Sequence, residues 1–109
     1  MLSKLSDYEK HVVHTCISCI VNNKHLKHES HTRIGLPLDR AKAILKNWSQ
    51  YEFEVSNDDD VSLLINNAMN EVCHGMRISD EEWRSWFGSI TYDQVKATFQ
   101  KWKLLHDQG

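Results

Sequence analysis

Asp39-Arg-Ala-Lys-Ala-Ile-Leu-Lys-Asn-Trp48 and Asp93-Gln-Val-Lys-Ala-Thr-Phe-Gln-Lys-Trp102 repeat one pattern, with Asp, Lys, Ala and Trp in the same places. Extended by one residue upstream, each copy sets an apolar row at i, i+3, i+7 and i+10. Leu38, Ala41, Leu45 and Trp48 match Tyr92, Val95, Phe99 and Trp102. That spacing follows the 3.6-residue period of an α-helix and defeats a strand reading. A glycine precedes each copy, Gly35 and Gly88. The pattern predicts an all-α fold in which two related helical hairpins, about 6–48 and 58–105, form a pseudo-repeat packed as one small bundle.

Outward from these copies, about five helices are expected in a single domain over 1–109. Ser6-Asp-Tyr-Glu9 has capping-box spacing and starts the first helix near Asp7. Leu5, Tyr8, Val12, Cys16 and Ile20, flanked by Val13 and Ile17, make its buried stripe, which ends near Asn22. From Lys24 to Arg33 the periodicity fails and a polar connection is expected. Pro37 suits the start of the second helix, which runs to about Trp48. Tyr51, Phe53 and Val55 alternate with polar residues, as in an extended linker laid over the core. The third helix opens at Asn57 or Asp58 and runs to about His74, with Gly75 as its C′ residue. Its inner face is Val61, Leu64, Ile65, Ala68, Met69 and Val72. Ser79-Asp-Glu-Glu82 is a second capping box, opening a short helix that ends at Gly88, and the last helix spans Tyr92 to about Leu105.

Composition narrows the functional classes. The 109 residues carry a net charge of −2, 40% apolar residues, one proline and four glycines, a balance suited to a folded core. No apolar run is long enough to span a membrane, and Met1-Leu-Ser-Lys lacks the apolar core of a signal peptide. Three cysteines suit a reducing compartment, so a cytoplasmic protein without disulfides is expected. No Gly-rich phosphate loop, Gly-x-Ser-x-Gly elbow or His-Glu-x-x-His helix occurs. Cys16-Ile-Ser-Cys19 lies well inside a helix and away from any βαβ pattern, which argues against a redox pair. Neither an enzyme nor a cofactor is expected.

Charge is segregated along the chain. Residues 1–48 hold eight Lys or Arg against four acids, 49–82 hold one Arg against nine acids, and 83–109 hold four bases against two acids. Gathered in space, Glu52, Glu54, Asp58, Asp59, Asp60 and Asp80 to Glu82 would draw a cationic partner; separately Asp58 to Asp60 and Asp80 to Glu82 would favour the positive ends of their helices. Asn66 and Asn70 share a face with Asp59 and Leu63 and either pin a loop or contact a partner. Of the four tryptophans, Trp48 and Trp102 fall on the repeated core row. Trp83 and Trp86 lie three apart on a short helix, and Trp86 is the candidate contact residue. These features point to a protein partner, a basic one if the acids converge.

Two alternatives use other residues. His31-Thr-Arg-Ile-Gly-Leu-Pro-Leu-Asp-Arg-Ala-Lys-Ala-Ile-Leu45 resembles the turn and second helix of a helix-turn-helix DNA-binding motif, with Gly35 at the turn. That resemblance implies Arg40, Lys42, Lys46 and Asn47 facing the groove and phosphates. An acidic centre and a pI near 6.4 weaken phosphate attraction. His11, His14 and His28 keep a spacing that permits divalent-metal ligation, although Cys16, Cys19 and the histidines do not fit a zinc finger. Taken together, small size, an acidic centre and the lack of catalytic motifs look like a bacterial toxin-neutralising immunity protein. In such a protein the acids would oppose a basic toxin surface.

Overall fold

A computed structural model describes residues 4–22, 35–49, 59–75 and 78–108. The helices are α1 (Asp7–Val21), α2 (Leu38–Lys46), α3 (Asp59–Asn70), α4 (Asp80–Phe87) and α5 (Tyr92–Gln108). A π-helical turn, Glu71–Gly75, continues α3. Among the described residues no strand occurs, so the protein is an all-α bundle. The connection 24–33 and the alternating segment around Tyr51 to Val55 lie outside the described residues.

Helix α1 starts where its capping box places it. The Glu9 backbone N–H donates to Ser6 Oγ at 3.1 Å, and the Ser6 N–H donates to Glu9 Oε1 at 2.8 Å. Two of the four unpaired N–H groups of the first turn are thereby satisfied. The same Glu9 oxygen accepts from Lys101 Nζ of α5 at 2.7 Å. The Lys101 bond and then the Ser6 backbone bond hold the Glu9 carboxyl below its ordinary 4.5.

From Val12 onward α1 is buried on nearly every side. Val12, Val13, Thr15, Cys16, Ile17, Cys19, Ile20 and Val21 are all inside, and only His14 and Ser18 are half-open. A helix apolar all round must be wrapped by its neighbours. Accordingly α1 packs most extensively on α3 and also touches α2, α4, α5 and the π-turn. Tyr8, expected in the buried stripe, is instead 47% exposed. It occupies the first turn, before the helix passes under its neighbours.

Every residue of the expected inner face of α3 is buried: Val61, Leu64, Ile65, Ala68, Met69 and Val72. Its C-terminal end departs from expectation. The α-helix stops at Asn70, and Gly75 is the last residue of the π-turn. Glu71, Val72 and Cys73 are consecutive and all buried, which a single stripe of 100° per residue does not allow. The wider turn rotates the chain so that all three point inward. Carbonyls of a last helical turn lack intrahelical partners, and that of Cys73 accepts the Tyr92 hydroxyl at 2.9 Å.

The two copies of the repeated pattern carry much of the remaining core. Ala41 and Val95 are fully buried, and Trp48 and Trp102 are 5% and 1% exposed. The copies differ at their ends. Leu38 is half-buried whereas Tyr92 is 43% exposed, and α2 is nine residues long against seventeen for α5.

Between α4 and α5 the chain reverses through a tight turn. Gly88 has φ 58° and ψ −117°, and the Ile90 N–H donates to the Phe87 carbonyl at 3.0 Å. These are the angles of the first central residue of a type II′ turn, a place that favours glycine. The turn delivers the Ile90 carbonyl to Trp83 Nε1–H at 2.9 Å. It also delivers Thr91 to the start of α5, where Thr91 N–H donates to Gln94 Oε1 at 2.8 Å and Gln94 N–H donates to Thr91 Oγ1 at 3.2 Å.

Candidate functional site

Helix α4 is short because Ser79 opens it and Gly88 ends it. The Glu82 N–H donates to Ser79 Oγ at 3.1 Å, and that hydroxyl in turn donates to Glu82 Oε1 at 3.2 Å. Eight residues cannot hide two tryptophans, and they divide the work. Trp83 stacks on Phe87 with ring centroids 4.1 Å apart and lies 6.3 Å from Tyr92. Trp86 falls on the flank and stays 40% exposed, while Trp48 and Trp102 are buried. Glu82 is one turn before Trp86, on the same side of the helix, and Asp80, Glu81 and Glu82 are all exposed. The α4 surface thus offers an indole with the Glu82 carboxylate on its own side, and Asp80 and Glu81 further round the helix.

The other expected contact residues are placed differently. Asp58 lies outside the described residues, and Asp59 begins α3. Asp60 accepts from Arg40 Nε of α2 at 3.0 Å, a half-exposed ion pair that ties the two helix starts together. Asn66 is half-buried and Asn70 exposed, on one face with Leu63, which is 39% exposed. Their neighbour Asn67 backs the Gly35 turn: a Cβ on Gly35 would lie 3.2 Å from Asn67 Nδ2 and 3.1 Å from Leu63 Cδ2. Gly35 itself has φ +73°. Asn66 and Asn70 belong to α3 and Trp86 to α4, so these contact residues stand on two different helices.

The residues proposed to read DNA do not share one face of α2. Arg40 and Asn47 fall on one flank of the buried Ala41–Ile44 row, and Lys42 and Lys46 on the other, roughly 130° away around the axis. Arg40 is engaged by Asp60. The Asn47 side chain donates back to the Ala43 carbonyl at 3.0 Å, closing the helix end.

A concave feature lies between α1 and α2. The C-terminal end of α2 meets the N-terminal half of α1, and an open cleft of about 380 Å³ separates them. Asp7, His11 and His14 form one wall; Leu45, Lys46 and Trp48 form the other, with Ser49 at its edge. The His14 and Trp48 rings are 5.8 Å apart and tilted by 41°. His11 and His14 do share a face, as their spacing requires. His28 lies outside the described residues, and among the described residues no three His, Cys, Asp or Glu side chains are arranged to hold a metal ion.

Cys16, Cys19 and Cys73 are free and buried. Burial pushes the Cys16 thiol well above its ordinary value, reinforced by Cys73 and Cys19. Burial and then the Glu82 carboxylate push Cys19 up to about 11. Burial raises Cys73 as well. Thiols held protonated are poor nucleophiles and poor ligands.

Sequence reasoning missed two features of these surfaces. Thr91-x-x-Gln94 repeats the capping-box spacing of Ser6 and Ser79 and was legible. That Asp7 and Lys46 line one cleft was not, since it depends on how α2 lies across α1. No family model, curated protein or solved structure matches this chain.

Proposed function

We propose that this protein acts by binding a basic protein partner, without catalysis, in the manner of a toxin-neutralising immunity protein of the bacterial cytoplasm. The observation that carries this reading is Trp86, the most exposed of the four tryptophans, with the exposed Glu82 one turn before it on the same side of α4. A large rigid aromatic at the surface is the side chain that most often anchors an interface. Nearby carboxylates give a Lys- or Arg-rich partner its orientation and speed its capture. The indole face itself attracts a cation. Asn66 and Asn70 on α3, together with Asp58 and Asp59, are taken as further contacts of the same partner, while Asp60 serves mainly to position α2 through Arg40. This arrangement favours a protein ligand over DNA, because Arg40, Lys42, Lys46 and Asn47 are split between two flanks of α2 and Arg40 is already paired.

Native mass spectrometry of the protein captured from its own host tests the reading. A stoichiometric protein partner that is lost in Trp86→Ala and retained in Lys42→Gln/Lys46→Gln supports it. Co-purifying nucleic acid, or a partner indifferent to Trp86, rejects it. With the partner in hand, Glu81→Gln/Glu82→Gln is expected to slow association and flatten its salt dependence. The same change in Asp58, Asp59 and Asp60 tests the α3 end of the surface.

A further inference from the structure

The cleft between α1 and α2 lies apart from Trp86 and the α4 acids, and its walls carry opposite charges. Asp7 projects from the first turn of α1 and Lys46 from the last turn of α2; both are exposed and both line the same 380 Å³ space. Among the described residues they are not ion-paired to one another. His11, also exposed, stands beside Asp7 on the same wall one helical turn further on. The rest of the lining is Leu45, Ser49 and the tilted His14–Trp48 pair, in which His14 is half-buried and Trp48 buried. A volume of this size falls at the small end of ligand sites, which combine an apolar lining with a few charged groups that fix orientation.

We infer that this cleft binds a small zwitterion with an apolar side chain, of the chemical class of a free α-amino acid. Such a ligand uses both walls. Its ammonium meets Asp7 on one wall, its carboxylate meets Lys46 on the other, and its side chain covers Leu45 and the half-buried His14. A plain anion would face the Asp7 carboxylate, and a plain cation the Lys46 ammonium, each repelled by one wall. Because the cleft is open to water, binding is weak, with a Kd of the order of 1 mM.

The test is an NMR titration of the whole ¹⁵N-labelled chain with L-phenylalanine, N-acetyl-L-phenylalanine and phenethylamine. The acetyl compound lacks the ammonium and the amine lacks the carboxylate. L-Phenylalanine is expected to shift amides of residues 7–14 and 45–49 with millimolar affinity, and each analogue to bind about tenfold more weakly or worse. Asp7→Asn and Lys46→Met are each expected to weaken L-phenylalanine at least about fivefold while leaving the spectrum dispersed. Both positions are exposed, so folding is retained. The inference is overturned if L-phenylalanine causes no shift at about 20 mM, if the shifts fall elsewhere, or if N-acetyl-L-phenylalanine binds equally well. Loss of the Trp86-dependent partner would leave this result untouched, because the two surfaces share no residue.

Discussion

Replacing Gly88 by alanine isolates a backbone effect from any contact. A Cβ built on Gly88 meets nothing within 4 Å, so alanine adds no clash. What it adds is strain, because φ 58° with ψ −117° is a conformation that L side chains rarely adopt. Holding a residue in such a region costs about 1–3 kcal/mol. The smaller entropy of the unfolded alanine chain offsets about 0.4–1 kcal/mol of that. A net loss of about 1–2 kcal/mol is expected. A chain this long has an unfolding entropy of about 0.23 kcal/mol/K, so Tm should fall by about 4–9 °C. Thermal and urea unfolding, followed by circular dichroism and tryptophan fluorescence, measure both quantities. A D-alanine at 88, introduced by ligation, accepts positive φ and should restore or raise Tm. Equal or higher stability of Gly88→Ala would show that Phe87 to Ile90 relaxes into another turn. The account of how Ile90 and Thr91 are delivered would then be wrong.

Three further outcomes are expected. Trp83→Phe keeps the stack on Phe87 but leaves the Ile90 carbonyl without its indole donor, a loss of about 1 kcal/mol in urea unfolding; no change would mean that water replaces the bond at no cost. The buried thiols set an alkaline limit: the unfolded chain ionises Cys19 near its ordinary 9.0, whereas the folded one holds it to about 11. Stability is therefore undiminished below pH 9 and falls as pH rises towards 11, by up to about 1.4 kcal/mol per unit for each such thiol, and Cys19→Ala should reduce that slope. Trp86→Ala should leave unfolding within about 0.5 kcal/mol, because a side chain this exposed contributes little to the core, yet weaken the protein partner at least about tenfold; the opposite pattern would make Trp86 a structural residue.

Much of the helical plan was legible because the signals were local. The Ser6 box, the Ser79 cap (whose Glu82 accepts from the Ser79 hydroxyl and not from its N–H), the inner face of α3 and the repeated row each depend on residues within a turn or two of one another. Legibility failed where burial depends on what lies across from a residue. Tyr8 and Tyr92 fit their helical rows yet are exposed, because each occupies a first turn before its helix reaches the core. The π-turn at Glu71–Gly75 was illegible for a related reason, since only packing against α1 and α5 calls for three consecutive inward residues. For the surfaces, Trp86 could be singled out because a short helix cannot cover two indoles. The pairing of Asp60 with Arg40 and the cleft between Asp7 and Lys46 join residues far apart in the chain, which no spacing rule reaches.

That α1 is enclosed on nearly every side bears on how the molecule can be divided. A cut in the connection after α2 would separate the two copies of the repeated pattern, but it would also strip α3, α4 and α5 from one helix. Val12, Val13, Cys16, Ile17 and Ile20, none of them exposed in the whole chain, would then face water together. Neither piece would keep a core, and the liberated α1 would be the segment most prone to self-association. Whether or not the two copies share an ancestor, they answer to one keystone helix. The bundle is therefore expected to unfold in a single step, with the amides of α1 the last to exchange their hydrogens.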